Sequence, residues 1–230
     1  MKRFLPLLIL VITVSMIFAV PLVYAEDKEV KRVEKSTEVL NQIMAIPEES
    51  IPSAIFNNAK GVAVLPGVVK VGFILGGKGG YGILSVRNED GSWSNPNFIG
   101  LAGGGIGLQI GAQATDYILV FKSRKDIDTI VKGKTTLGTD LGVAAGPVGR
   151  QATAATDFKT AVYSYSRSKG VFAGVSLEGS TLQINHEANA EYYGKEGINP
   201  EDIFANKGVK VPPSAQEFKK TLAKHTTPSD

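Results

Sequence analysis

The chain has 230 residues, a formal net charge of +3, two histidines and no cysteine. Disulfide and thiol chemistry are therefore excluded, and the near balance of basic and acidic residues argues against a nucleic-acid binder. Glycine accounts for 26 residues, and it clusters in apolar, strand-like segments instead of linkers.

The first 25 residues have the features of an export signal. Lys2 and Arg3 precede an apolar run, and small residues close the run at Ala25. This order predicts a signal peptide cleaved near Ala25, which would make the mature protein periplasmic or secreted. An uncleaved anchor is the alternative, because the apolar run approaches the length that crosses a bilayer. Residues 26–230 are expected to form a single domain.

An amphipathic helix is predicted over residues 27–45, ended by Pro47. Its apolar positions recur at helical spacing, at Val30, Val33, Thr37, Leu40 and Met44. We expect this face to pack on the domain. A membrane-surface helix is the alternative, and the many acidic residues of the segment argue against it.

The period changes to two after residue 60, as in strands. One predicted strand carries Val69 and Val71, and GGKGG at residues 76–80 predicts a turn into a second strand that begins at Tyr81. The segment NEDGS predicts the next turn.

Residues 97–116 combine many glycines with apolar residues, which suits a membrane helix, a phosphate loop or a strand. Alternation over about ten residues favours the strand, since each glycine inside a helix costs roughly 1 kcal/mol. The glycine face then admits close approach by another segment or by a ligand. We favour packing within the sheet.

The rest of the chain continues the mixture of strands and helices. DYILVF predicts a buried strand, Ser123 caps a short helix, and SKG turns a tyrosine–serine strand into a second strand. Short helices are predicted near residues 187–205 and 214–225. The whole pattern predicts an α+β fold: mostly antiparallel β, with a compact barrel-like or sandwich core and flanking N- and C-terminal helices.

Each segment that resembles an enzyme motif lacks a residue or an element that the chemistry of the motif needs. GKGGYG at residues 77–82 precedes a strand instead of a helix, and GFILGGKG at residues 72–79 has Gly79 where a P-loop needs a hydroxyl. GKT at residues 133–135 lacks the first glycine of that loop. His186 has no partner at catalytic or metal-ligand spacing. We therefore predict no enzyme activity, no metal and no cofactor.

Basic residues at predicted turns are the remaining candidates for a binding site. Backbone N–H groups of glycine turns beside Arg or Lys suit phosphate oxygens, whereas the alternative is that these residues only keep the surface soluble. The candidates are Lys78, Lys134, Arg150, Arg167 and Lys169.

Three segments occur in a characteristic order: residues 51–121, LGVAAGPVGRQA and YSYSRSKGVFAGVSLEGS. Together they resemble the SYLF-domain family, the lipid-binding module also called the yeast-type actin-binding domain. It implies a mostly β domain that binds phosphoinositides or other anionic lipids. Similar bacterial members with an export signal are regarded as envelope lipid binders. Carried over by position, the motifs supply Arg150, Arg167 and Lys169 as head-group ligands.

We accordingly expect an exported, non-enzymatic protein that binds anionic phospholipids or phosphoinositide-like head groups at a membrane surface. The alternative is a structural or protein-interaction module with a partner in the cell envelope. An exported protein would not meet cytoplasmic actin, so no contact with actin is expected.

Overall fold

The computed structural model describes residues 27–45, 50–149 and 160–226, with the backbone alone over residues 72–75 and 105–112. In these ranges the strands form two consecutive groups and the helices lie mainly at the two ends, an α+β arrangement. The helices are α1 (Lys28–Met44), α2 (Ser53–Phe56), α3 (Arg124–Lys132), α4 (His186–Tyr193), α5 (Pro200–Phe204) and α6 (Pro213–Thr226). The strands are β1 (Gly61–Val86), β2 (Asn97–Phe121), β3 (Thr135–Thr136), β4 (Val143–Ala145), β5 (Val162–Ser168), β6 (Val171–Gly174) and β7 (Ser180–Ile184).

One curled sheet contains all seven described strands, and its pairs are antiparallel except for β4 with β5. β2 is the central strand. One edge of β2 pairs with β1, and the other pairs with β7 over residues 99–103 and with β5 over residues 116–121. The predicted fold class, mostly antiparallel β with helices at both ends, is confirmed.

β1 and β2 form a two-stranded ribbon of 26 and 25 residues. The prediction that residues 97–116 form a strand is confirmed. The predicted turn at GGKGG is wrong, because residues 76–80 continue β1 and pair with residues 101–105. The turn between the two strands lies instead at NEDGS, where Gly91 has a φ of 84°.

The ribbon bends back on itself. Its first limb, residues 61–68 of β1 with 115–121 of β2, stacks on its second limb, residues 79–84 of β1 with 97–102 of β2. The backbone N–H of Arg87, just after β1, donates to the carbonyl of Lys60, just before it, at 2.9 Å. Glycines permit this approach: a methyl group added at Gly82 would lie 2.1 Å from the carbonyl oxygen of Val64. At Gly103 of β2 the same addition would lie 3.1 Å from Ser180 Oγ of β7, whereas at Gly104 it would meet open space. Close packing in the sheet therefore explains Gly103 but not its neighbour.

Two apolar clusters cover the two faces of the sheet. α1, α2, α4, α5 and α6 pack on one face, where Phe56, Phe98 and Phe218 are fully buried. α3 closes the other face through Ile127 and Ile130. Two predicted helix starts are confirmed: α1 begins after its cap Asp27, and Ser123 Oγ accepts a hydrogen bond from the backbone N–H of Asp126 at the start of α3. The predicted end of α1 at Pro47 lies outside the described residues. Within the described ranges, no helix is long and apolar enough to cross a membrane.

Candidate functional site

A cavity of about 600 Å³ opens where the two limbs of the ribbon meet α1 and β7. Its floor is glycine-rich backbone, and polar and basic side chains stand on its rim. The lining residues are Arg32, Pro66, Gly67, Val69, Gly79, Gly80, Tyr81, Gly100, Leu101, Ala102, Lys134, Thr181 and Gln183.

Arg32 reaches the cavity from α1 and is held in place there. Its Nη1 donates to Oε2 of Glu29, whose side chain is only 2% exposed. The guanidinium carbon also lies 5.2 Å from the centroid of the Tyr81 ring. A carboxylate on one side and a ring on the other fix the guanidinium without using all five of its N–H donors. Arg32 can therefore bind an anion in the cavity without first being ordered.

Two predicted lysines lie at the same end of the molecule. Lys134 follows α3 and lines the cavity from an exposed position. Lys78 belongs to β1, next to the lining residue Gly79, and is half-buried. Burial lowers the pKa of Lys78, and the nearby charge of Lys70 lowers it further. Among the residues that the structure describes, no carboxylate forms an ion pair with Lys78, and a bound anion would supply the compensating charge.

Arg167 and Lys169 belong to a different part of the sheet, the β5–β6 hairpin. Arg167 Nη1 donates to Gln42 Oε1 of α1, so one donor of this guanidinium is directed at α1. Lys169 and Gly170 form the two-residue turn with φ values of 49° and 83°, which leaves the lysine exposed. Gln113 Nε2 donates to Ser168 Oγ at 2.7 Å and ties this hairpin to the ribbon.

The predicted site residues therefore separate into groups. Lys134 lines the cavity, and Lys78 is the chain neighbour of the lining residue Gly79. Lys169 lies on the hairpin tied to the ribbon, and Arg167 donates to α1. The candidate Arg150 lies outside the described residues. Sequence reasoning missed Arg32 and Tyr81, because an arginine on a charged helix face is usually only solvated. The i, i+3 spacing of Glu29 and Arg32 was the one available signal.

His186, weighed as a catalytic base, begins α4 and is exposed. It borders a surface depression together with Lys28, Glu187 and Glu191. Among residues 27–45, 50–149 and 160–226, no group of three or more His, Cys, Asp or Glu residues could hold a metal ion.

Comparison with known proteins decides the family. The sequence model of the Ysc84 family, described as a Las17-binding protein actin regulator, matches residues 102–225. This chain belongs to the Ysc84, or SYLF-domain, family. The matched region begins within β2, the central strand, and ends within α6.

Full-length relatives agree with this assignment. Protein YSC84 of Saccharomyces cerevisiae is 37% identical over 203 residues, which cover 86% of this chain and 42% of the relative. LAS seventeen-binding protein 3 of the same species is 37% identical over 175 residues, 74% of this chain and 38% of the relative. SH3 domain-containing YSC84-like protein 1 of Homo sapiens is 39% identical over 168 residues, 70% of this chain and 49% of the relative.

This Ysc84-family chain spans less than half the length of each of these relatives. All three are eukaryotic, so the expected bacterial origin stays a prediction. Because the family description names an actin regulator, the comparisons do not support the expectation that actin is excluded as a partner.

Proposed function

We propose that this member of the Ysc84 family binds anionic phospholipid head groups at a membrane surface and performs no catalysis. The observation that supports the proposal best is the cavity at the base of the ribbon. It combines a pre-positioned arginine, Arg32, with Lys134 and with backbone that has few side chains in the way.

The chemistry of the cavity suits a phosphate group. An arginine that is already oriented loses little side-chain entropy on binding, and its planar donors match phosphate oxygens. Thr181 and Gln183 add hydrogen-bonding groups on the β7 side. Each basic residue near an anionic surface contributes about 1 kcal/mol, so a few lysines alone give only weak attachment. The shaped cavity would supply the additional affinity and selectivity.

The proposal is tested by co-sedimentation of residues 26–230 with vesicles of phosphatidylcholine, with or without about one third phosphatidylserine or a phosphoinositide, at low and high salt. We expect binding to the anionic vesicles only, weakened by salt. The double variant Lys78→Met/Lys134→Ala should lose about 2 kcal/mol, roughly a thirtyfold decrease in partitioning.

The matched control is Lys195→Met/Lys207→Ala, which removes the same charge from two exposed lysines between α4 and α6. Equal losses in the two double variants would show that only net charge matters and would contradict a site at the cavity. Arg32 is not replaced alone, because the buried carboxylate of Glu29 would then lose its closer ion-pair partner and keep only Lys28 at 3.8 Å.

A protein-interaction function is the second candidate, and the family description supports it. Relatives carry names that refer to Las17 binding and to SH3 domains, and the family is described as an actin regulator. Affinity isolation with this chain, and co-sedimentation with actin filaments in parallel with the vesicles, separates the two candidates. Binding to filaments without binding to any vesicle would favour the protein partner.

Export is also part of the proposal. Residues 1–25 would direct the chain across a membrane and be removed near Ala25, after which an envelope protein could be an additional partner. The intact mass of the protein purified from cell fractions checks this point. A mass that retains residues 1–25 in a membrane fraction would support the anchor instead.

Hydrolytic turnover that disappears with His186→Ala would contradict the non-enzymatic assignment.

A further inference from the structure

The ribbon has an unusual composition where it continues past the cavity, which Val69 also lines. We define the ribbon end as residues 69–77 of β1 with residues 104–114 of β2, which pair with each other. Lys70 is its only charged residue, and Lys78 stands at its border. The other residues are glycine, alanine, glutamine and large apolar residues, the last being Val69, Val71, Phe73, Ile74, Leu75, Ile106, Leu108 and Ile110.

The ribbon end lies outside the sheet core. In the described part of the chain, β7 pairs with β2 no further than Gly103, and β5 begins to pair at Asp116. Val69 and Val71 are 45% and 51% exposed, although large apolar residues elsewhere in β1 are mostly buried. A methyl group added at Gly104 would meet nothing within 4 Å. About half of the surface of Val69 and of Val71 is therefore not covered by the described residues.

The neighbouring β5–β6 hairpin extends the same surface. Its turn carries Lys169, and Val171 directly after the turn is 69% exposed, more than the other exposed large hydrophobic residues of the described chain. The hydrogen bond from Gln113 to Ser168 joins the hairpin to the ribbon end at the pair that contains Lys70. Apolar residues are therefore bordered by Lys70, Lys78 and Lys169.

We propose that the ribbon end inserts into the surface layer of an anionic membrane, with Lys70, Lys78 and Lys169 at the level of the lipid phosphates. Charge complementarity favours a lipid surface over a second copy of this chain, because two ribbon ends would bring these lysines together. This inference rests on the proposed lipid-binding function and adds the element that enters the membrane.

The free edges of the ribbon limit the depth of insertion. Over residues 104–115 the second edge of β2 has no strand partner in the described part of the chain, so backbone polar groups there need water or head groups. Burying them in hydrocarbon without partners is costly. The ribbon end therefore stays about 5–10 Å deep, at the boundary between head groups and acyl chains.

Site-specific fluorescence tests this inference, since the chain has no native cysteine. An environment-sensitive dye is attached at Val71→Cys and, as a control, at Ala205→Cys, an exposed position after α5. With vesicles of phosphatidylcholine and about one third phosphatidylserine, we expect a blue shift at position 71 and none at 205. A quencher near the head group should act more strongly than one deep in the acyl chain.

The same vesicles are used to compare Val69→Ser/Val71→Ser with Val148→Ser, a partly exposed valine outside the ribbon. The ribbon variant should partition about tenfold more weakly, whereas the control should bind normally. Normal sedimentation without a dye response at position 71 would overturn insertion and leave head-group binding intact. Failure to sediment at all contradicts both proposals. A blue shift without lipid that grows with protein concentration would identify self-association and also overturn the inference.

Discussion

At the residue scale, the glycines of the ribbon differ in whether a side chain would fit, although all of them lie in strands. A methyl group at Gly82 would lie 2.1 Å from the carbonyl oxygen of Val64 and 2.7 Å from Leu65 Cα. These are backbone atoms, which cannot rotate away. We expect Gly82→Ala to decrease the free energy of unfolding by about 3 kcal/mol or more, measured by urea denaturation followed by circular dichroism.

Gly104→Ala is the matched control, since its added methyl group would meet open space and no positive φ is involved. The lower entropy of the unfolded chain should make Gly104→Ala neutral or slightly stabilising, by up to about 1 kcal/mol. Similar losses for both variants would show that strand glycines matter here through backbone flexibility instead of limb packing.

At the element scale, buried asparagines attach the C-terminal helices to the sheet. Asn189 of α4 accepts a hydrogen bond from the backbone N–H of Phe98 at 2.8 Å and donates to Asn97 Oδ1 at 2.9 Å. Asn97 in turn donates to the carbonyl of Pro200, the first residue of α5, at 3.0 Å. Asn189 thus joins the start of β2 to α4, and Asn97 joins the start of β2 to α5.

Asn189→Ala should therefore destabilise the chain by about 2–4 kcal/mol, because it leaves two buried polar groups without partners. The measurement is the shift of the thermal unfolding midpoint. Glu187→Gln, an exposed change on the same helix, serves as the control and should leave the midpoint unchanged. Hydrogen exchange at the amide of Phe98 should accelerate in the alanine variant. Unchanged exchange there would contradict the assigned role.

Most of the strands and helices could be predicted from the sequence, whereas the continuation of β1 through GGKGG and the role of Arg32 could not. Period-two alternation and the cap at Ser123 depend on neighbouring residues, so most strands and helices were predictable. GGKGG resembles a turn because glycine can adopt the backbone angles that turns need. In the structure, glycine is needed at positions 80 and 82 because Val68 and Val64 of the other limb leave no room for a side chain. Arg32 was missed for the same reason. Its role depends on Tyr81, which is distant in the sequence.

At the scale of the whole molecule, α6 returns to α1 and closes the apolar face, and this contact contains a titratable group. His225 Nε2 lies 3.0 Å from Asn41 Oδ1 of α1. Burial lowers the pKa of His225, and the adjacent charge of Lys224 lowers it further. The next residue, Thr226, accepts a hydrogen bond from Trp93 Nε1 at 3.1 Å, so the single tryptophan reports on the docking of α6.

The sign of the pH effect follows from the direction of this shift. Because the folded-state pKa lies below that of the unfolded chain, the unfolded state binds more protons in the window between the two values. Stability from the neutral imidazole is complete above the unfolded pKa of about 6.5 and is lost as the pH falls through the lower folded value. We expect the unfolding midpoint, followed by Trp93 emission, to decrease as the pH falls below about 6.5.

His225→Gln keeps a hydrogen-bond donor for Asn41 and removes the titration, so its midpoint should fall less steeply over the same pH range. Lys224→Gln removes the neighbouring positive charge and should give an intermediate slope. The carboxylates with lowered pKa, Glu38 and Asp90, lose their contribution only below about pH 4.5, so they do not mask this window. An identical slope in His225→Gln and the unmodified chain would place the acid sensitivity outside the contact between α1 and α6.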